Sequence, residues 1–245
     1  IRKNNSARGQ EHLLASDLTI AEVLKKAGYA TGMVGKWGIG LPDTERTPDK
    51  KGFDLAFGFY DQGRAHTYYP HYLYHNSEPI PIPENYGFDM EATYRHTHAP
   101  AGLHIYDDEG QLIPHGVANP KRVKNSENLC YQRAIDFIDQ HHQQPFFLYY
   151  ATQLPHGPCI TPNLGQFKDR PWSQKHKEWA GMITHLDRHV GGLLDRLCQY
   201  EILDNTLIIF ASDNGYAHWG YMGRQRYADD PLFRNKGPWR GGKFI

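Results

Sequence analysis

The sequence predicts an α/β fold, a mostly parallel sheet flanked by helices and incomplete at both ends. Two observations carry that prediction. Helical periods alternate with short apolar runs: 20–27 with 29–34, 127–141 with 145–151, and 179–200 with 206–211. Each run then opens into a loop carrying Gly, His, Lys or Asp, as strands of a parallel sheet do where they leave the core.

Thr19 and Glu22 are spaced as a capping box, so a helix starts at Ile20. Ile20, Val23, Leu24 and Ala27 continue its apolar stripe, and Gly28 suits the C′ position. Tyr29–Val34 (Y-A-T-G-M-V) follows as a strand and leads into the loop Gly35–Gly40.

Residues from about 42 to 125 show no sustained period and are rich in Pro, Gly, Tyr and His. They read as a loop-rich insertion within one partial catalytic domain, 1–245, with a short hairpin near Gly87–Gly116. Glu127–His141 is helical by spacing, and Pro145–Ala151 is an apolar strand. Trp179–Tyr200 carries the stripe Met182, Ile183, Leu186, Val190, Leu193, Leu194 and Leu197 and predicts a core-facing amphipathic helix.

The run Leu207–Ala211 enters Ser212-Asp213-Asn214-Gly215 and predicts a buried parallel strand. Asp213 and Asn214 then have two readings. They are a turn, which both residues favour locally, or two hard oxygen ligands for a cation such as Ca²⁺ or Mg²⁺.

Composition sets outer limits. The chain has 245 residues, 27 Lys plus Arg against 27 Asp plus Glu, and a mean hydropathy of −0.69. The balanced charge lends no support to a nucleic-acid partner, and no apolar run spans a bilayer. Cys130, Cys159 and Cys198 are far apart and fit neither a disulfide framework nor a zinc site. The first residues carry no signal-peptide pattern, and both ends read as internal to a longer protein.

Four polar groups follow apolar runs or glycines: Lys36, His156, the pair Asp213–Asn214, and Lys243. On one edge of one sheet they would combine two cations, an imidazole and a metal-ligand pair. That set suits a tetrahedral oxyanion held by a divalent cation. No dinucleotide fingerprint or P-loop is present.

The motifs G-Y-A-T-G-M-V-G-K-W-G-I-G, P-F-F-L-Y-Y-A-T-Q-L-P-H-G-P, N-T-L-I-I-F-A-S-D-N-G and R-G-G-K occur in this order. In sequence and spacing the chain resembles the type I sulfatases, the arylsulfatase family of the alkaline phosphatase superfamily. The resemblance implies hydrolysis of a small-molecule or glycan sulfate ester. It implies that Lys36 and Lys243 bind sulfate and that His156 contacts a sulfate oxygen and helps protonate the leaving group. It implies that Asp213 and Asn214 are calcium ligands, with Mg²⁺ as the alternative. The family nucleophile is a formylglycine made in a C/S-x-P/A-x-R motif, and its compartments are periplasmic, secreted or lysosomal.

Three departures qualify this. None of the three cysteines begins the nucleophile motif, and the family's early Asp-Asp pair is absent. Both are expected upstream, so the chain alone is expected to be inactive. Gly38 stands where many members carry a histidine, and His66 or His71, flanking the Tyr68-Tyr69-Pro70 segment, is expected to share its role. The rival readings are a phosphodiesterase or phosphonate hydrolase of the same superfamily, and a non-catalytic binding module. The Asp-Asn pair and two lysines favour one hard cation and sulfate over a two-zinc site.

Overall fold

The computed structural model describes residues 4–5, 9–10, 12–40, 44–60, 65, 68–70, 72–85, 105–106, 112–113, 124–157, 159–215 and 232. In chain order its elements are β1 Asn4–Asn5, β2 Gly9–Gln10, α1 Ile20–Lys26, β3 Ala30–Lys36, β4 Leu55–Phe59, β5 Tyr72–His75, β6 Glu78–Pro81, β7 Ile105–Tyr106, β8 Leu112–Ile113, α2 Ser126–His141, β9 Phe146–Ala151 and α3 Gln174–Gln199, with short 3-10 turns between some of them.

The main sheet is mixed, with strand order β6-β5-β4-β3-β9. Its centre is parallel: β3 pairs with β4 on one side and β9 on the other. The antiparallel β5–β6 hairpin extends it beyond β4. β3 is apolar and glycine-rich because both of its faces are covered. Met33 packs with Ala21 of α1, Ala56 and Tyr60, while Val34 packs with Phe57, Phe59 and Cys130 of α2. The two-residue period of the strand thus sends α1 and α2 to opposite faces.

The helix starts follow the expected chemistry. Thr19 Oγ1 accepts from the Glu22 amide at 3.1 Å while Glu22 accepts from the Thr19 amide at 2.8 Å. Gly28 closes α1 with φ +87°. Asn125 caps α2 and Ser173 caps α3, each accepting from first-turn amides. Arg196 of α3 grips Asp139 of α2 at 2.7 and 2.8 Å, joining the two helices.

Three expectations change. Leu207–Ala211 is not a buried strand: 206–211 take no regular structure, and Leu207 and Ile209 are 87% and 79% exposed. An apolar run becomes a strand only when a neighbouring backbone pairs with it, and among the described residues β9 pairs with β3 alone. The α3 stripe is rotated. Its buried positions include Met182 and Leu197 but also Glu178, His185 and His189, while Ile183 is exposed. The region 42–125 also contains β4, a parallel strand that its two glycine-flanked aromatics did not reveal. The hairpin expected near Gly87–Gly116 is present as β7–β8.

Cys130 and Cys159 are buried, Cys198 is exposed, and all three are free thiols. Among the described residues, no helix is long and apolar enough to cross a membrane.

Candidate functional site

Lys36 is the last residue of β3 and is half-buried. The strand ends there because its backbone turns. Gly35 has φ +112°, in register with Gly58 of β4 on one side and Ala151 of β9 on the other. A side chain at Gly35 would meet the Ala151 carbonyl oxygen at 2.1 Å. Glycine therefore permits the close three-strand approach that presents Lys36 at the sheet's carboxyl edge.

The loop after Lys36 is pinned to β4. The Trp37 amide donates to Phe59 O at 2.8 Å and the Gly38 amide to Tyr60 O at 3.1 Å. The Trp37 indole donates to Arg46 O at 2.9 Å and its ring lies edge-on against Phe53.

His156 leaves β9 at the same edge, five residues beyond Ala151 in the sequence. Its amide donates to Gln153 O at 2.7 Å, closing a turn over 153–156. Its Nδ1 lies 2.7 Å from Gly157 O. A carbonyl only accepts, so Nδ1 carries the hydrogen, and Nε2 is the nitrogen that gains or releases a proton.

The His156 turn is held from two sides. The Tyr68 hydroxyl donates to His156 O and, at 3.3 Å, to Gln153 O. Tyr68 is fully buried, and its own carbonyl accepts from the Ser126 amide at 2.9 Å. Glu127 of α2 is also fully buried. Its carboxylate accepts from the Thr152 hydroxyl and from the Gln153 amide and side chain at 3.3 and 2.8 Å. Burial pushes the Glu127 carboxyl up, and these donors oppose the rise.

Asp213 and Asn214 are exposed. The Ser212 hydroxyl donates to Asn214 O at 2.7 Å, so the segment does form a local turn. Burial raises the Tyr149 phenol pKa, and the charge of Asp213 raises it further, which sets this carboxylate in the field of β9. Among the described residues, no three His, Cys, Asp or Glu side chains cluster as a metal site. By donor chemistry Asp213 and Asn214 suit a hard cation, two oxygen-bearing side chains against the six to eight oxygens such an ion usually takes.

Lys36 thus ends β3, His156 follows the carboxyl end of the neighbouring β9, and the charge of Asp213 acts on Tyr149 of β9. Lys243, His66 and His71 lie outside the described residues. Sequence reasoning missed Glu127 and Tyr68. Glu127 stands in the first turn of a helix, where an acid reads as a solvated partner of the helix dipole. Tyr68 lies in the His66–Pro70 segment already singled out for its histidine.

A family model described as Sulfatase matches residues 3–244. The arylsulfatase of Hemicentrotus pulcherrimus is 29% identical over 237 residues, covering 94% of this chain and 37% of that protein. The human N-acetylgalactosamine-6-sulfatase is 30% identical over 205 residues, covering 82% of this chain and 33% of that protein. The chain thus spans about a third of the length of these curated relatives. Ps i-CgsB in complex with k-i-k-neocarrahexaose superposes with a TM-score of 0.55 at 26% identity, covering 84% of this chain and 42% of that one. A Bacteroides thetaiotaomicron structure, reported with that organism's metabolism of multiple glycosaminoglycans, superposes with a TM-score of 0.63 at 23% identity, covering 97% of this chain and 53% of that one.

Proposed function

The chain belongs to the sulfatase family, and from that membership we propose that the whole protein hydrolyses sulfate esters of a glycan. The observation that supports this reading most is that Lys36 ends β3 and that His156 follows the carboxyl end of β9, the strand paired in parallel with it. Ligands of open α/β sheets bind at that edge. The glycan substrate class is supported by the sugar bound to Ps i-CgsB and by the N-acetylgalactosamine-6-sulfatase relative.

Each residue then has a task. The Lys36 ammonium offsets the negative charge of the sulfate oxygens, and Lys243 would supply a second cation. His156 Nε2 delivers a proton to the departing sugar oxygen while Nδ1 stays engaged with Gly157 O. Asp213 and Asn214 would hold the cation the family implies, Ca²⁺ or Mg²⁺, whose bound charge would draw the sulfate oxygens into place. The family formylglycine would supply the nucleophile. His66 or His71 would complete the polar lining near the ester.

The test is sulfate release by the full-length protein from nitrophenyl sulfate and from a sulfated glycan. Lys36→Ala and His156→Ala should each lower kcat/KM at least about a hundredfold. Wild-type turnover that survives both substitutions would overturn the assignment.

A further inference from the structure

We infer that Glu127 and Tyr68 are positioning residues that fix the imidazole of His156, an inference that rests on the proposed role of His156 in sulfate-ester cleavage. Neither residue need touch the ester. The backbone from Thr152 to His156 carries the imidazole, and these two buried side chains seize it at both ends.

Glu127 holds the start of the turn. Three donors converge on its two carboxylate oxygens: the Thr152 hydroxyl, the Gln153 amide and the Gln153 side-chain amide. The Thr152 hydroxyl in turn accepts from the Leu154 amide at 3.1 Å, passing the constraint one residue further. Tyr68 holds the end. Its hydroxyl reaches His156 O and Gln153 O, the two backbone positions already joined by the His156 amide. The halves are also tied together, since the Ser126 amide beside Glu127 donates to Tyr68 O and the Gln153 side chain reaches Ser126 Oγ at 3.3 Å.

These groups form one buried polar network in which nearly every donor faces an acceptor. Removing one partner leaves another unsatisfied and loosens the turn. A shift of about 1 Å in a proton donor costs up to about a hundredfold in rate.

The experiment uses the full-length enzyme and a series of substituted phenyl sulfates, from nitrophenyl to methoxyphenyl. Nitrophenolate leaves with little help, whereas methoxyphenolate needs a well-placed proton. Tyr68→Phe removes the hydroxyl, and Glu127→Gln turns one of the two acceptor oxygens into an N–H donor that faces another donor, both with little change of shape. Each should lower kcat on the methoxyphenyl ester about tenfold more than on the nitrophenyl ester, with KM within about twofold. Thr152→Val, which removes one hydroxyl, should follow the same direction more weakly. A uniform loss across the series, or a KM effect without a kcat effect, overturns the proposal. His156→Ala is the reference. If it steepens the leaving-group dependence and the other variants do not, positioning fails alone. If it leaves that dependence unchanged, the role of His156 falls and this inference falls with it.

Discussion

Gly35 of β3 lies so close to Ala151 of β9 that a Cβ on Gly35 would sit 2.1 Å from the Ala151 carbonyl oxygen. The obstacle is backbone, which has no rotamer to yield. Gly35→Ala should therefore combine a steric clash with the strain of φ +112°. The expected loss is at least about 3 kcal/mol. Gly28→Ala is the matched control, because Gly28 has φ +87° and nothing within 4 Å of the added carbon. Its cost should stay near the left-handed penalty alone, about 1–2 kcal/mol. Urea unfolding of the two variants measures the difference, and equal losses would contradict the close-approach argument.

Thr19 ties α1 to a distant loop as well as capping it. Its hydroxyl accepts from the Glu22 amide and donates to Lys51 O at 2.7 Å. Lys51 is buried, and its ammonium reaches Asp17 O at 2.7 Å and the Glu22 carboxylate at 3.3 Å. The Thr19 amide and Lys51 hold the Glu22 carboxyl below its ordinary range against the opposing effect of burial. Thr19→Ala should cost about 1–2 kcal/mol, at the upper end for a helix cap because it breaks two bonds. Thr19→Ala and Glu22→Ala share partners, so the double variant should lose less than the sum of the singles. A double-mutant cycle by thermal unfolding tests this.

Local chemistry was legible in the sequence and pairing was not. The Thr19–Glu22 box, the Gly28 terminus and the strands at 30–36 and 146–151 are written in adjacent residues, and each appears where its spacing puts it. The run 207–211 is as unbroken an apolar stretch as β9 yet stays outside the sheet, because strand formation depends on a partner backbone that composition does not specify. Lys36 and His156 could be singled out because strand ends are local features. Glu127 and Tyr68 could not, because what matters is their shared contact with a turn 25 or more residues away. The same blindness hid the buried polar face of α3, where helical spacing favoured leucines over Glu178, His185 and His189.

Gly38 tests whether the histidine that the family resemblance leads one to expect there could simply be introduced. It takes φ +73°, and its amide is already engaged with Tyr60 O. Gly38→His would place a branched ring on a left-handed backbone at a cost of about 1 kcal/mol. The variant should melt lower than wild type and gain no sulfate-ester turnover in the full-length protein. An increase in kcat would mean that the Gly38 loop adapts and that no other residue already fills the role.

The acid response should be set by opposing groups on α3. Glu178 accepts from the Thr161 amide at 2.8 Å and from the Gln174 side chain at 2.9 Å, yet burial lifts its pKa to about 7. A raised carboxyl pKa means the folded state holds a proton the unfolded state releases. Its stability contribution is full below the unfolded value of 4.5 and is lost as pH rises through about 7. His185 and His189 act the other way. Burial lowers them to about 4 and about 3, with Arg188 adding repulsion in both cases. Both rings lie against Asn128 Oδ1, and the buried Nδ1 of His185 has no hydrogen-bond partner to receive a new proton. Their contribution is present above the unfolded value of 6.5 and is lost as pH falls through about 4 and then about 3. Between about pH 4.5 and 6.5 the two histidines outweigh the one carboxyl, so wild-type stability should rise with pH there, about half as steeply as the histidines alone would make it. Glu178→Gln removes one side of the balance. Its stability should rise with pH across that window more steeply than wild type, by about 2–3 kcal/mol. Parallel urea titrations at several pH values read the slope directly, and identical slopes for the two proteins would show that Glu178 titrates normally in the folded state.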